Sequence, residues 1–407
     1  MTTARAGADT PSSPIAPSAP ASATPTWDVR GPGCAARVTS PAPREVWDEI
    51  IAADPLAGPT QLPEWLDCMC QADGWADSSR LYEMPGGRRL VLPLVRKTVI
   101  PTPGDAKPLS IQASFPHGWG LGGILAPGGT TMADAALVLT DVADSPGLRT
   151  TIRPDFVAAP AWGDAWSRDW AGRRRGARET AQVTHVLDLG GGIDKVWSTQ
   201  MSSKARTGIR NARRQADKAG LQIEVGSSSR FVADSYDVYL RWLDSRARER
   251  RMPREIARWR GMRAQPIRRF QTAVTVFGER CRIWVARLGG IPVAARIALF
   301  HGAIAVGWRA SSDRDLVRTL RVDEHLQFLA IEYACEIGCQ YFYLGESGGA
   351  AGLAHFKNRL GATEYAATEY AFERLPISRL EAGFIDLRRR VERRALARNR
   401  PQCGATW

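Results

Sequence analysis

Ser202 to Ala219 reads SSKARTGIRNARRQADKA. Ala205, Ile209, Ala212 and Ala216 recur at helical spacing and make one narrow apolar face. Lys204, Arg206, Arg210, Arg213, Arg214 and Lys218 wrap the rest. Upstream, Thr184 to Leu189 reads as a strand; downstream, Leu221 to Val225 reads as another. A long helix is predicted over Phe231 to Arg251, and a basic helix-like stretch runs on to Phe270. Gln271 to Phe277, Arg282 to Leu288 and Ile291 to Phe300 read as three strands in meander order, and Ala303 to Ala310 as a fourth. A helix over Asp323 to Ile337, a strand over Tyr341 to Leu344 and a last strand over Thr368 to Phe372 complete the pattern. Strand, helix, antiparallel strands, helix and strand is an α+β order.

The first half repeats that plan coarsely. Helices are predicted over Pro43 to Ala53 and Pro63 to Ala72, and a hairpin over Arg80 to Met84 and Arg89 to Lys97 (RLVLPLVRK). A Gly-rich stretch follows over Ser114 to Gly129, then a helix over Met132 to Ala143, a strand over Arg149 to Arg153 and a loop ending near Arg178. The expectation is two similar halves: residues 38–180, and residues 181–378 carrying the chemistry. Residues 1–37, rich in Ala, Pro, Ser and Thr without an apolar run, read as a disordered leader. Residues 379–407 read as a basic helix and tail.

Composition excludes several classes. Seven Cys, an odd number with no C-x-x-C pair, argue against a disulfide framework, and five His without ligand spacing predict no metal site. No apolar run reaches the ~18–20 residues of a membrane span, so a cytoplasmic protein is expected. The net charge of +13 favours an anionic partner, although Arg-rich composition alone produces the same excess.

Three stretches carry a resemblance: Leu187-Asp188-Leu189 with the helix Ser203-Lys204-Ala205-Arg206…Ile209…Ala212; Ile331-Glu332-Tyr333-Ala334 with Gly338 and Tyr341 to Ser347 (YFYLGES); and Gly352 to Lys357 (GLAHFK) followed by Leu360-Gly361-Ala362. Together, over about Val183 to Phe372, they resemble the Fem-type aminoacyltransferases of the GNAT superfamily. The resemblance implies two GNAT-like domains in tandem, each a mixed, mostly antiparallel sheet flanked by helices. Two positions depart from the family pattern: Tyr343 and Glu346 stand where Asp and Arg are frequent.

Acyl transfer passes through a tetrahedral oxyanion and releases a proton from the attacking amine. By resemblance, Lys357 serves the donor end and the developing charge. Phe356 beside it can set a ring against a cation or an adenine. Glu346 is the leading candidate base, with Asp323 and Glu324 behind it; Ser347 can donate a hydrogen bond, and Tyr343 lies beside both. Lys204, Arg206 and Arg210 form either a phosphate clamp near a helix start or a solvated face. The tract Arg241 to Arg269, with Trp242, Trp259 and Phe270 interleaved, suits RNA or is a solvated helix pair.

The donor stays open at this level. Aminoacyl-tRNA is implied by the resemblance and consistent with the charge. Acyl-CoA is the alternative, and Arg314 to Val322 (RDLVRTLRV), where ordinary GNAT enzymes carry a Gly-rich pyrophosphate turn, has no Gly. A non-catalytic RNA-binding role is a third reading. No permanently bound cofactor is expected, the acceptor is a small molecule or a peptidoglycan precursor, and the oligomeric state is not readable.

Overall fold

A computed structural model describes residues 24–100, 109–144, 147–170, 176–317 and 320–376. The first half runs β1 (Thr26–Gly31), β2 (Cys34–Thr39), α1 (Arg44–Ala53), α2 (Pro63–Asp73), β3 (Ala76–Asp77), β4 (Arg80–Glu83), β5 (Arg89–Leu92), β6 (Val95–Ile100), β7 (Leu109–Ser114), α3 (Met132–Ala143), β8 (Arg149–Ile152), α4 (Ala159–Asp169) and β9 (Ala177–Thr180). The second runs β10 (Val183–Asp188), α5 (Gly192–Lys195), α6 (Ser203–Lys218), β11 (Gln222–Gly226), α7 (Ser229–Glu249), α8 (Arg254–Ala264), α9 (Ile267–Phe277), β12 (Cys281–Leu288), β13 (Ile291–His301) and β14 (Ile304–Ser312). It ends with α10 (Arg314–Val317), α11 (Val322–Glu336), β15 (Tyr341–Glu346), α12 (Ala351–Arg359), β16 (Thr363–Ala366) and β17 (Glu369–Glu373).

Two mixed sheets, ordered β3-β6-β7-β8-β17-β9 and β11-β12-β13-β14-β15-β10-β16, carry the halves, and a four-stranded antiparallel sheet β1-β2-β4-β5 flanks the first. Each large sheet has one parallel pair bridged by a helix: β7–α3–β8 and β14–α11–β15. One strand crosses between the halves. β10, which follows the first half in sequence, lies between β15 and β16; β17, at the end of the second, lies between β8 and β9. The halves thus repeat one plan in tandem, and the second lends its last strand, β17, to the sheet of the first.

A core joins them. Trp65 of α2 packs edge-on against Trp119, Phe277 of α9 and Trp308 of β14, with ring centroids 5.2, 5.1 and 5.1 Å away. Aromatic pairs at such separations add to the free energy of burial alone.

Several sequence expectations change. Gln271 to Phe277 lies in a helix, α9, not a strand: Phe270, Ala273, Val274 and Phe277 are buried at helical spacing, and its Thr and Val content misled the strand reading. RLVLPLVRK is two strands of different sheets, β5 and β6, because the chain changes sheet around Pro93. The segment read as a loop before Arg178 holds α4, whose Trp162 and Trp166 are buried. The last 12 residues of the expected leader are not disordered: β1 and the start of β2 lie there, and Trp27 Nε1 donates to Asp141 at 2.8 Å. The expected boundary at residue 378 does not close the second half on itself, since β17 belongs to the first sheet. The helix expected over Arg379 to Arg398 lies outside the described residues.

Candidate active site

β14 and β15 pair only from Ile304 to Val306 and from Tyr341 to Tyr343, and then part. A cavity of about 450 Å³ sits in the opening, walled by Gly307 to Ala310 on one side and Leu344 to Glu346 on the other. The first half closes it with His117, Gly118, Gly120 and Arg153, and α11 and α12 with Gln327, Phe356 and Lys357.

Lys357 projects from α12 back onto the end of β15. It is 5% exposed, and its Nζ donates to Gly345 O at 2.7 Å and Glu346 O at 2.9 Å. Burial pushes its pKa down to about 8; Glu346 pulls it back up and Arg296 presses it lower. An ammonium has three donors, so one stays available to a ligand. Glu346 forms an ion pair with Arg153, whose Nε also lies 3.6 Å from Glu369 at the start of β17. Tyr343 is held as a neutral phenol, its pKa raised to about 12, mainly by burial. Arg309 donates to Gln265 at 3.0 Å, to Trp308 O at 2.8 Å and to Gly118 O, and burial lowers its pKa to about 10.

The fold therefore brings together Lys357, Phe356, Glu346 and Tyr343. Ser347 is adjacent, its Oγ 3.4 Å from Nδ1 of the buried His185, but is not in the cavity wall. Burial first, and Lys357 second, lower the pKa of that imidazole.

Lys204, Arg206 and Arg210 are not in the wall either. Arg206 Nη1 donates to the carbonyls of Trp197, Ser198 and Met201 at 3.1, 3.1 and 2.7 Å, fastening the turn before α6. Arg210 lies over the Trp197 ring at 5.4 Å. Lys204 is exposed in the first turn of α6, which Ser202 caps by accepting from Ala205 N–H at 3.2 Å. The start of α6 also meets the end of α12, through Ser202 N–H donating to Arg359 O at 3.0 Å.

Sequence reading missed Arg153, Arg296, Arg309 and Gln327. Arg296 did leave a signal: it interrupts the run VAARIALF, where a strand buried along its whole length admits no charge without a purpose. Arg153 left none, because its role depends on the other half. Among the described residues no group of His, Cys, Asp or Glu is arranged to hold a metal, and no helix is long and apolar enough to cross a membrane.

Residues 203–358 match the family described as an acetyltransferase (GNAT) domain. No curated protein matches the chain. Among solved structures, it is similar to FemX, with 13% identity and a TM-score of 0.56 over 83% of this chain and 98% of that one. It also aligns with the C-terminal domain of a lysylphosphatidylglycerol synthetase described as putative, from Agrobacterium fabrum (13% identity, TM-score 0.46, 83% and 93% covered), and with a tandem GNAT protein from the clavulanic acid biosynthesis pathway (15%, 0.42, 80% and 93%). The FemX likeness is one of fold. Residues 203–358 thus match a GNAT acetyltransferase domain, and the chain as a whole has the fold seen in FemX.

Proposed function

We propose that the chain moves an aminoacyl group from aminoacyl-tRNA to the amine or hydroxylamine of a small molecule or a cell-wall precursor. The observation that carries this reading is the placement of Lys357. Its ammonium is anchored on two carbonyls at the parting of β14 and β15, with one donor left for the cavity. The acceptor nitrogen attacks the ester carbonyl, whose oxygen becomes an oxyanion that the free Lys357 donor stabilises. Collapse breaks the ester C–O bond, the amide forms, and the tRNA 3′ or 2′ oxygen leaves with the proton that the amine gave up. Glu346, the carboxylate in the cavity wall, accepts the proton the amine loses, and Arg153 fixes its position. Phe356, half-buried in the wall, offers a ring to the terminal adenine.

Outside the cavity, the exposed cations of α6, including Lys204, Arg210 and Arg214, adjoin the end of α12 and suit a phosphate backbone. The Gly-free segment from Arg314 to Val322 favours a donor other than a CoA thioester.

One observation favours acyl-CoA instead. The tract Arg241 to Arg269 spends much of its charge internally: Arg241 on Asp313 at 3.3 Å, Arg258 on Asp244 at 2.6 Å and Arg269 on Asp73 at 2.5 Å. These pairs remove cations from the expected RNA face. The deciding assay follows product formation from labelled aminoacyl-tRNA and from acyl-CoA, with and without RNase, at two salt concentrations. Loss of product on RNase treatment, with weakening at the higher salt, supports tRNA. Product that survives RNase and needs acyl-CoA refutes it.

A further inference from the structure

Two side chains in the cavity wall have no part in the chemistry above. Arg296, on β13, is 9% exposed, and Gln327, on α11, is 3% exposed. Among the described residues, Arg296 Nε and Gln327 Nε2 are buried without a hydrogen-bond partner. The acid that acts on Arg296 is Asp323, and it accepts a hydrogen bond from Ser312 Oγ at 2.7 Å. Burial lowers the Arg296 pKa to about 10. Leaving a guanidinium and an amide buried with donors unused costs free energy, and an occupant that accepts from both relieves it.

The surroundings fix the sign of that occupant. The wall holds four cations, Arg153, Arg296, Arg309 and Lys357, against one acid, Glu346, which Arg153 already pairs. Arg309 and Lys357 are bonded only to neutral acceptors. A cationic or neutral polyol ligand would leave this excess uncompensated. Guanidinium and amide N–H groups both suit the oxygens of a carboxylate or phosphate.

We propose that Arg296 and Gln327 form an oxyanion subsite, so that the acceptor amine also carries a carboxylate or phosphate bound against β13 and α11. This rests on the cavity being the site of acyl transfer, but its test uses no donor. Thermal melts of the full chain are titrated with succinate and with inorganic phosphate at constant ionic strength, with succinamide and chloride as controls. The wild type, Arg296→Met and Gln327→Leu are compared.

The expected result is saturable stabilisation by one of the anions, with the effective one telling carboxylate from phosphate. Its apparent Kd weakens about tenfold or more in Arg296→Met and in Gln327→Leu, in line with losing a charge-assisted or buried hydrogen bond. Without anion, Arg296→Met melts at or above the wild-type temperature, because an uncompensated charge has been removed. If neither anion acts beyond chloride, or if both variants keep wild-type affinity, the subsite is refuted. Anion binding through Arg296 with no transfer from either donor would overturn the transfer reading alone. Transfer by a wild type that ignores both anions would overturn the subsite alone.

Discussion

Replacing Lys357 with methionine keeps the apolar stem in place and removes the ammonium. In the wild type that ammonium donates at 2.7 and 2.9 Å to two carbonyls of the β15 end, which leaves one donor unused on a residue of the cavity wall. If the free donor meets the oxyanion, its loss lowers kcat by roughly 10²–10³, or ~2.7–4 kcal/mol of transition-state stabilisation. The stability cost is smaller. Each carbonyl left without a donor costs about 1–3 kcal/mol when fully dry, but here water can enter from the cavity and a desolvated charge has been removed. A net loss below ~2 kcal/mol is expected. The pH profile separates roles. With a pKa of about 8, an ammonium required for catalysis gives a kcat that falls as pH rises through 8; a neutral amine acting as base gives a kcat that rises. Stability carries its own sign. The folded pKa lies below the unfolded value of 10.5, so between about 8 and 10.5 the unfolded chain binds more protons, and this residue makes stability increase with pH. Lys357→Met flattens that increase. Steady-state kinetics from pH 6 to 9.5, run beside thermal melts, test all of this. A folded variant with unchanged kcat, or a wild-type kcat rising through pH 8, refutes the reasoning.

Gly361→Ala is expected to destabilise by about 1–2 kcal/mol for its positive φ of 93° alone, and by more because a Cβ there would lie 2.8 Å from Gln200 O; urea unfolding measures it. Trp65→Ala empties the aromatic junction between the halves and costs about 3–5 kcal/mol, seen as a lower urea midpoint with a single transition, since both halves lose the same contact. A fragment of residues 24–180 lacks β17, which leaves β8 and β9 without their shared neighbour; it is expected to be insoluble or unfolded, and joining residues 363–376 through a flexible linker is expected to improve its far-UV circular dichroism and solubility.

What the sequence disclosed follows from how local each signal is. The helix Ser203–Lys218 was legible because its apolar residues and its Ser202 cap lie within one short window. The strand of YFYLGES and the Phe356-Lys357 pair were legible as a motif, and the fold places both on the cavity. The crossing of β17 into the first sheet was not, since period-two alternation shows that a strand exists and not which sheet it joins. The same limit hid Arg153. Its partners Glu346 and Glu369 lie 193 and 216 positions downstream, and no local pattern links them. Of Lys204, Arg206 and Arg210, left in sequence as either a clamp or a solvated face, the fold removes only Arg206 from a shared surface, because its Nη1 donates to backbone carbonyls of the preceding turn.

The crossing of β17 also bears on where the chemistry sits. Arg153 follows β8, Glu346 ends β15 and Glu369 begins β17. β17 reaches Glu369 only by crossing into the first sheet, where it pairs with β8. The ion-paired cluster is therefore built at the seam that the crossing creates, with one member from each half and one from the crossing strand. A chain with two independent halves would have no reason to hold Glu346 in this position, because its counter-ion comes from the other half. It follows that the first half is more than a lid over a self-sufficient second half: it supplies the charge that fixes the candidate base. Removing that charge in Arg153→Met should impair turnover while leaving Lys357 on its carbonyl anchors, which belong to the second half alone. A variant with full activity would show that the seam is structural and that Glu346 needs no positioning.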